Sequence, residues 1–258
     1  MRVLGHALAN RGEPIPLPWP ELKIEPAPGD VVLATAGPGV GKSYVGLNWA
    51  VDLAERHGRP ALVISTDTSL SDQAIRACAL LSGALASEVK MKLEWWADWL
   101  REQQAIPLRW SPLTITPSEI RDFIKAEIEY LGEAPALVIV DVLTDMLSDE
   151  ENVGEVRKIV RSWKAAGRKL GFVTLLLHHI KRGKAATGTE RVTLQDGLYG
   201  GEQDATHVLG LWRPGADVLT IATLKNRMGP ANADGFMAVD LRADYPHASV
   251  KSLPGASW

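Results

Sequence analysis

One cysteine, Cys78, in 258 residues excludes an intrachain disulfide and a cysteine metal cluster, and it fits a reducing compartment. It reads as a core residue on a helix. Long apolar runs are missing too: none approaches the length that spans a membrane, and the N-terminus lacks the succession of charged, apolar and small residues that marks a signal peptide. The expectation is a cytoplasmic protein with no membrane partner. Nor is there an excess of positive charge, since 28 Lys and Arg stand against 31 Asp and Glu for a net charge of −3. Whole-chain basicity, the usual footprint of a nucleic-acid binder, is therefore absent. Proline is sparse beyond the first 29 residues, which hold six of the 16. That opening stretch shows little periodicity apart from a short helical pattern near Val3 to Leu8, and it reads as an arm.

What is present is ordinary globular material, 46% apolar and 23% charged, enough for one large α/β domain or two small ones. From Asp30 onward apolar β-type runs alternate with amphipathic helical stretches, the pattern of a mainly parallel sheet flanked by helices. The predicted strands are Val31–Thr35, Ala61–Ser65, Pro107–Trp110, Leu137–Val140 and Phe172–Leu177. Ser69 with Asp72, and Thr116 with Glu119, match capping boxes; Pro117 suits a first helical position, and Gly58 and Gly83 suit helix ends. After Ala205 the runs His207–Trp212, Val218–Leu224 and Phe236–Leu241, joined by short turns, predict an antiparallel C-terminal extension of the sheet. With no internal repeat and no linker, residues 30–258 read as a single domain. Among the nine tryptophans, Trp95, Trp96 and Trp99 lie at helical spacing, which favours a core or subunit contact over base stacking.

Between the first apolar run and a helical pattern opening at Lys42 lies Ala36-Gly-Pro-Gly-Val-Gly-Lys-Ser43, a P-loop with Ala36 in place of the usual first glycine. Glycines allow the backbone to turn around a phosphate chain with successive N–H groups pointing inward, at the positive end of the following helix. Lys42 is expected to reach the β- and γ-phosphates and the Ser43 hydroxyl to ligate Mg²⁺. Leu137 to Asp141 is a buried strand ending in a carboxylate, as nucleotide hydrolases use to hold Mg²⁺. Asp67, after another apolar strand, is placed to orient or deprotonate water; as a bland alternative it is a surface residue before the Ser69 cap. His178 and His179 end the next strand. One of them is placed to sense the γ-phosphate, or the two form a structural pair, one buried and one solvated. Lys181 to Arg191 holds four basic residues and one acidic one in a Gly/Ala/Thr-rich stretch, which reads as a mobile cationic loop. Lys225 and Arg227, one residue apart at a strand end, project to the same side and suit a finger offered to a neighbour's ATP.

Together these residues resemble a family. Pro-Gly-Asp30 before the first strand, Gly-Val-Gly-Lys-Ser43, Ser65-Thr-Asp-Thr-Ser69 with Arg76, Val140-Asp-Val-Leu143, His178-His-Ile-Lys-Arg182, Glu202-Gln-Asp-Ala205 and Lys225-Asn-Arg-Met-Gly-Pro230 look like the RecA-like motor domain of DnaB-type ring helicases. They are also similar to the compact plasmid RepA-type and phage forms, in which His often takes the sensor place. The likeness covers about residues 28 to 242. It implies nucleotide binding by Gly37, Pro38, Gly39, Val40, Gly41, Lys42, Ser43 and Tyr44, Mg²⁺ held by Ser43 and Asp141, and water activation by Asp67. It further implies γ-phosphate sensing by His179, trans-acting charge stabilisation by Lys225 and Arg227, and contact of Arg213 with the nucleotide base. The helicase pattern has Glu where this chain has Asp67, and the shorter side chain withdraws the carboxylate by about a bond length, which argues against fast hydrolysis. The separate N-terminal domain of larger relatives is not represented, leaving residues 1–29 to hold a neighbour.

The leading expectation is an ATP- and Mg²⁺-dependent motor, a ring of identical subunits and a hexamer by resemblance, of phage or mobile-element type. The loop carrying Lys181, Arg182, Lys184 and Arg191 would track single-stranded DNA, alongside replication or recombination proteins. A RecA-like recombination or annealing ATPase that does not unwind is the second expectation. An ATP-switched assembly or regulatory scaffold is the third.

Overall fold

A computed structural model describes residues 12–65, 68–111, 116, 118–147, 153–180, 188–196 and 200–253. Asp67, Pro117, Lys181, Arg182 and Lys184 lie outside the described residues. The strands are β1 (Val31–Ala36), β2 (Ala61–Ser65), β3 (Leu108–Ser111), β4 (Leu137–Asp141), β5 (Val173–His179), β6 (His207–Gly215), β7 (Val218–Asn226), β8 (Ala238–Asp244) and β9 (Ser249–Ser252). All nine form one sheet in the order β3-β2-β4-β5-β1-β6-β7-β8-β9. Every pairing from β3 to β6 is parallel, and those from β6 to β9 are antiparallel. The parallel half with its antiparallel extension is the architecture that the sequence predicts.

The strands begin where predicted or within two residues, and several run further: β4 takes in Asp141 and β5 takes in both His178 and His179. β9 has no counterpart in the sequence reading. Helix α1 (Lys42–His57) ends on Gly58, whose left-handed φ of 59° lets its N–H return to Leu53. α2 (Leu70–Ser82) opens on Ser69, which accepts the Asp72 N–H, and closes on Gly83. The short α3 (Ala86–Met91) and α4 (Leu93–Glu102) follow, then α5 (Ile120–Leu131), α6 (Val153–Leu170) and the four-residue α7 (Gly201–Asp204). α5 starts at Ile120, later than the predicted box implies. The Glu119 carboxylate does accept the Thr116 N–H at 2.9 Å, but the intervening turn stays outside the helix.

Each sheet face has its own core. On one, α1 packs with Ile15, Trp19, Leu22 and Ile24 of the N-terminal segment. Trp19 donates to the Val250 carbonyl at 3.2 Å and Trp49 to that of Pro16 at 2.8 Å, so the segment from Ile15 to Ala27 is seated on its own chain. On the other face α5 and α6 bury Ile124, Ile159, Val160, Trp163 and Phe172. A smaller core gathers Cys78, Val89 and Ala79 under Trp96 and Trp99. Trp95 instead stands edge-on to Trp96 and is 57% exposed. Burial along α6 at 156, 159, 160, 163 and 166–167 is the helical period, and it turns Arg157, Arg161, Lys164 and Arg168 to the opposite face.

Candidate active site

In parallel α/β sheets, ligands bind beyond the carboxyl ends of the strands, and that is where the predicted residues meet. β1 delivers Ala36; the loop 37–41 then turns into α1 with Gly39 at φ 69° and Gly41 at φ 121°. Gly41 is required twice over, by its left-handed φ and because a Cβ there would lie 2.9 Å from the Tyr245 hydroxyl. The first turn of α1 has neither a capping side chain nor an acidic residue, so its amide end suits an anion. Lys42 is 6% exposed, and its Nζ donates to the carbonyls of Ala36 and Gly37, both at 3.0 Å. It lies 3.1 Å from His179 Nδ1.

The two histidines separate as their alternation on a strand requires. His178 is fully buried, whereas His179, opposite Ala36 in the parallel register, faces Lys42. Asp141 is 3% exposed at the end of β4, level with Ser65 on β2. Ser65 in turn accepts from Gln73 Nε2 at 3.0 Å. Ser43 and Tyr44, in the first turn of α1, are half-buried.

A cavity of about 310 Å³ opens beside the loop, lined by Pro38, Gly39, Val40, Gly188, Thr189 and Arg213 among others. Arg213 belongs to β6, which continues past Trp212. Its guanidinium covers the Tyr245 ring 4.5 Å from the centroid and donates to the Ala216 carbonyl at 3.0 Å. Tyr245 donates to the Val40 carbonyl at 2.9 Å and meets Tyr44 edge to face at 4.9 Å. Burial pushes its phenol pKa upward, against the nearby Arg213 charge, which keeps it a hydrogen-bond donor. Sequence reasoning missed Tyr245. Nothing local marks it beyond the Asp-Tyr-Pro turn, where the Asp244 carboxylate accepts the His247 N–H.

Lys225 and Arg227 are elsewhere. Lys225 pairs with Val208, and Asn226 with His207, which faces Val32 at the start of β1. The P-loop follows the end of that strand, so about 20 Å of β-structure separates the two cations from it. Both cations point the same way, as their spacing predicts: Lys225 Nζ and Arg227 Nη2 share the Gln203 carbonyl at 3.0 and 3.3 Å. Arg191 is exposed, its guanidinium 3.9 Å from the centroid of the Phe236 ring.

Residues 9–185 match the AAA domain family. The chain belongs to that family. Over 251 residues this AAA domain is 28% identical to the Gene 65 protein of Mycobacterium phage L5, covering 88% of each. It is 25% identical to the replicative DNA helicase DnaB of Leifsonia xyli over 232 residues, 79% of this chain and 48% of that one. The DnaB of Nostoc sp. gives 25% over 186 residues, 65% of this chain and 20% of that one. The chain thus spans half or less of the DnaB proteins it matches. Among solved structures it superposes on the ATPase domain of a DnaB-like helicase with a TM-score of 0.77 at 17% identity, covering 98% and 96% of the two chains. A second DnaB-like replicative helicase, solved with its interactions with primase, gives 0.71 at 18% identity over 88% and 59%. This AAA domain is an ATPase-family domain with the RecA-like fold and a DnaB-like helicase core. No helix among the described residues is long and apolar enough to cross a membrane.

Proposed function

We propose that the protein is an ATP-driven motor on single-stranded DNA, active as a ring in which each nucleotide lies between two subunits. One observation carries this reading: Lys225 and Arg227 stand at the opposite end of β1 from the P-loop, out of reach of their own nucleotide. Only a neighbouring copy's site is open to them, and a head-to-tail contact of that kind closes into a ring. Within one subunit, the loop amides and Lys42 would hold the phosphates and His179 would register the terminal one. Arg213 and Tyr245 would border the base. The donor set fits Mg²⁺, a buried carboxylate with a hydroxyl at a helix start; held by Ser43 and Asp141, the ion would neutralise charge developing on the phosphates. Asp67 is proposed to orient the water. The neighbour-holding role proposed for residues 1–29 shares that stretch with Ile15–Ala27, which serve their own core.

Along the DNA, Lys181, Arg182, Lys184 and Arg191 would neutralise backbone phosphates with slight sequence preference. Displacement of a labelled strand from a forked duplex, dependent on ATP and Mg²⁺, tests the reading. Single-strand-stimulated hydrolysis without displacement would leave the recombination or annealing ATPase, which the short Asp67 side chain favours. Absence of any shift of single-stranded DNA in a gel would leave the ATP-switched scaffold.

A further inference from the structure

The Glu202-Gln-Asp-Ala205 segment has no part in phosphate or metal binding, yet it collects more cations than any other stretch of the described residues. It forms α7, and the last carbonyls of a helix lack helical N–H partners. Here side chains supply them. Lys225 Nζ donates to Glu202 O at 2.6 Å and Gln203 O at 3.0 Å, Arg227 Nη2 to Gln203 O at 3.3 Å, and Lys164 Nζ to Asp204 O at 3.0 Å. The Asp204 carboxylate faces the other way, accepting from Arg157 Nε at 2.9 Å and pairing with Arg161 Nε at 3.0 Å. α7 lies close against α6: a Cβ on Gly201 would come within 2.9 Å of Val156.

We propose that Asp204 is a positioning residue for the trans-acting cations: gripped by two arginines of α6, it fixes the short helix whose carbonyls aim Lys225 and Arg227. The proposal rests on the reading that these two cations complete a neighbour's site. Crowding explains why an anchor is needed. Lys164 and Lys225 both have pKa values lowered, first by burial and then by like charge, with Arg227 the leading contributor in each case. Left without fixed carbonyls, the three cations would spread apart. The Asp204 carboxyl itself is held low, the arginine hydrogen bonds outweighing the opposing effect of burial, so it stays charged and paired. α7 also follows the segment that starts with the basic loop, so it connects the proposed DNA contact to the finger through a few residues of chain.

The test is subunit mixing with Asp204→Asn, which keeps the side-chain size and removes the charge. Alone, D204N is expected to melt cooperatively and bind ATP as the parent does. Its kcat should fall between tenfold and about 10²-fold, the cost of misplacing a reacting group by an ångström. Mixed one to one with Lys42→Ala subunits, which keep a sound finger, about a quarter of random interfaces join a sound P-loop to a sound finger, and activity should return. Mixed with Arg227→Ala subunits it should not, because both partners lack a working finger. Asp204→Glu should restore part of kcat, and Arg161→Met, which removes one of the two grips, should show the same pattern more weakly and serves if D204N folds poorly. Wild-type kcat in D204N, or no recovery with K42A where the R227A and K42A mixture does recover, overturns the proposal. If the R227A and K42A mixture itself stays inactive while subunits exchange, the trans reading falls, and this proposal with it.

Discussion

Lys42 and His179 face one another from adjacent elements, Nζ to Nδ1 at 3.1 Å, because the parallel register sets His179 level with Ala36. The lysine rests on the loop's own carbonyls, so a bound triphosphate must compete for an ammonium that already has partners. The imidazole ends β5, the strand from which the basic segment departs. Any displacement of Lys42 is therefore felt at the root of that segment.

Lys42→Ala should abolish ATP hydrolysis, because no other cation of the described loop serves the phosphates. Its burial adds a structural cost. Losing charge-assisted hydrogen bonds to two carbonyls should lower stability by about 1–3 kcal/mol. Urea unfolding should show a lower midpoint with an unchanged slope, and normal turnover in the folded variant would sink the P-loop assignment.

His179→Ala removes the partner of Lys42 and the proposed phosphate sensor while leaving the loop amides in place. Steady-state kinetics should show kcat down by about 10²-fold, the scale of losing one transition-state contact, with KM for ATP changed far less. A change confined to KM would make His179 a binding group only.

Tyr245→Phe deletes one hydroxyl, the one donated to Val40 at 2.9 Å. With one neutral hydrogen bond gone, stability should fall by about 0.5–1.5 kcal/mol. KM for ATP should rise several-fold with kcat nearly kept, the mark of lost uniform binding. Tyr245→Ala also strips the ring from beneath Arg213 and should raise KM further. An unaltered KM in both variants would separate this corner from the nucleotide.

Acid should release two anchors. Asp204 has its pKa lowered because the arginine bonds outweigh burial, and so has Asp30, where bonds from His207 and the Ala27 N–H outweigh it. A carboxylate lowered on folding contributes its stability in full above the unfolded value of about 3.9, and loses it as pH falls through the folded value. The difference in urea midpoint between wild type and Asp204→Asn should hence be largest above about pH 4 and shrink below it. A difference that stays constant from neutral pH into that acid range would mean that the charge on Asp204 does not contribute to stability.

The same pairs show what the sequence discloses and what it hides. Strands such as Val31–Ala36 and Leu137–Asp141 are legible because continuous branched apolar runs have one use in a sheet covered on both faces. The P-loop, Asp141 and His179 are legible because each terminates such a run. β9 is not: Val250 is its single apolar side chain, and the strand is held by Asn48, which bonds the Ala248 carbonyl at 2.8 Å and the Val250 N–H at 3.0 Å from 200 residues away. Tyr245 reaches Val40 across a separation of 205 and Arg157 reaches Asp204 across 47, and no local pattern encodes such partners. The start of α5 departs from its local signal for the opposite reason. The Thr116–Glu119 box forms locally, but the helix begins only where Ile120 enters the core.

The remaining prediction concerns the segment from Lys181 to Arg191. Its positive charge stands out in a chain of net charge −3, it follows His179 directly, and its last residue, Arg191, is exposed. Each phosphate neutralised on a single strand contributes about 0.7 to the slope of log affinity against log salt. Replacing Lys181, Arg182 and Lys184 together by Ala should therefore weaken binding of single-stranded DNA of any sequence and flatten that slope by about 2. ATP affinity should be retained, because Lys42 and the loop amides are untouched. Fluorescence anisotropy with a labelled homopolymer across a salt series reads both quantities. A solvated loop with no DNA role predicts no change in either, and that result would shift the proposed function toward the ATP-switched scaffold, since the segment from Leu147 to Gly154 carries Asp149, Glu150 and Glu151 and repels phosphate.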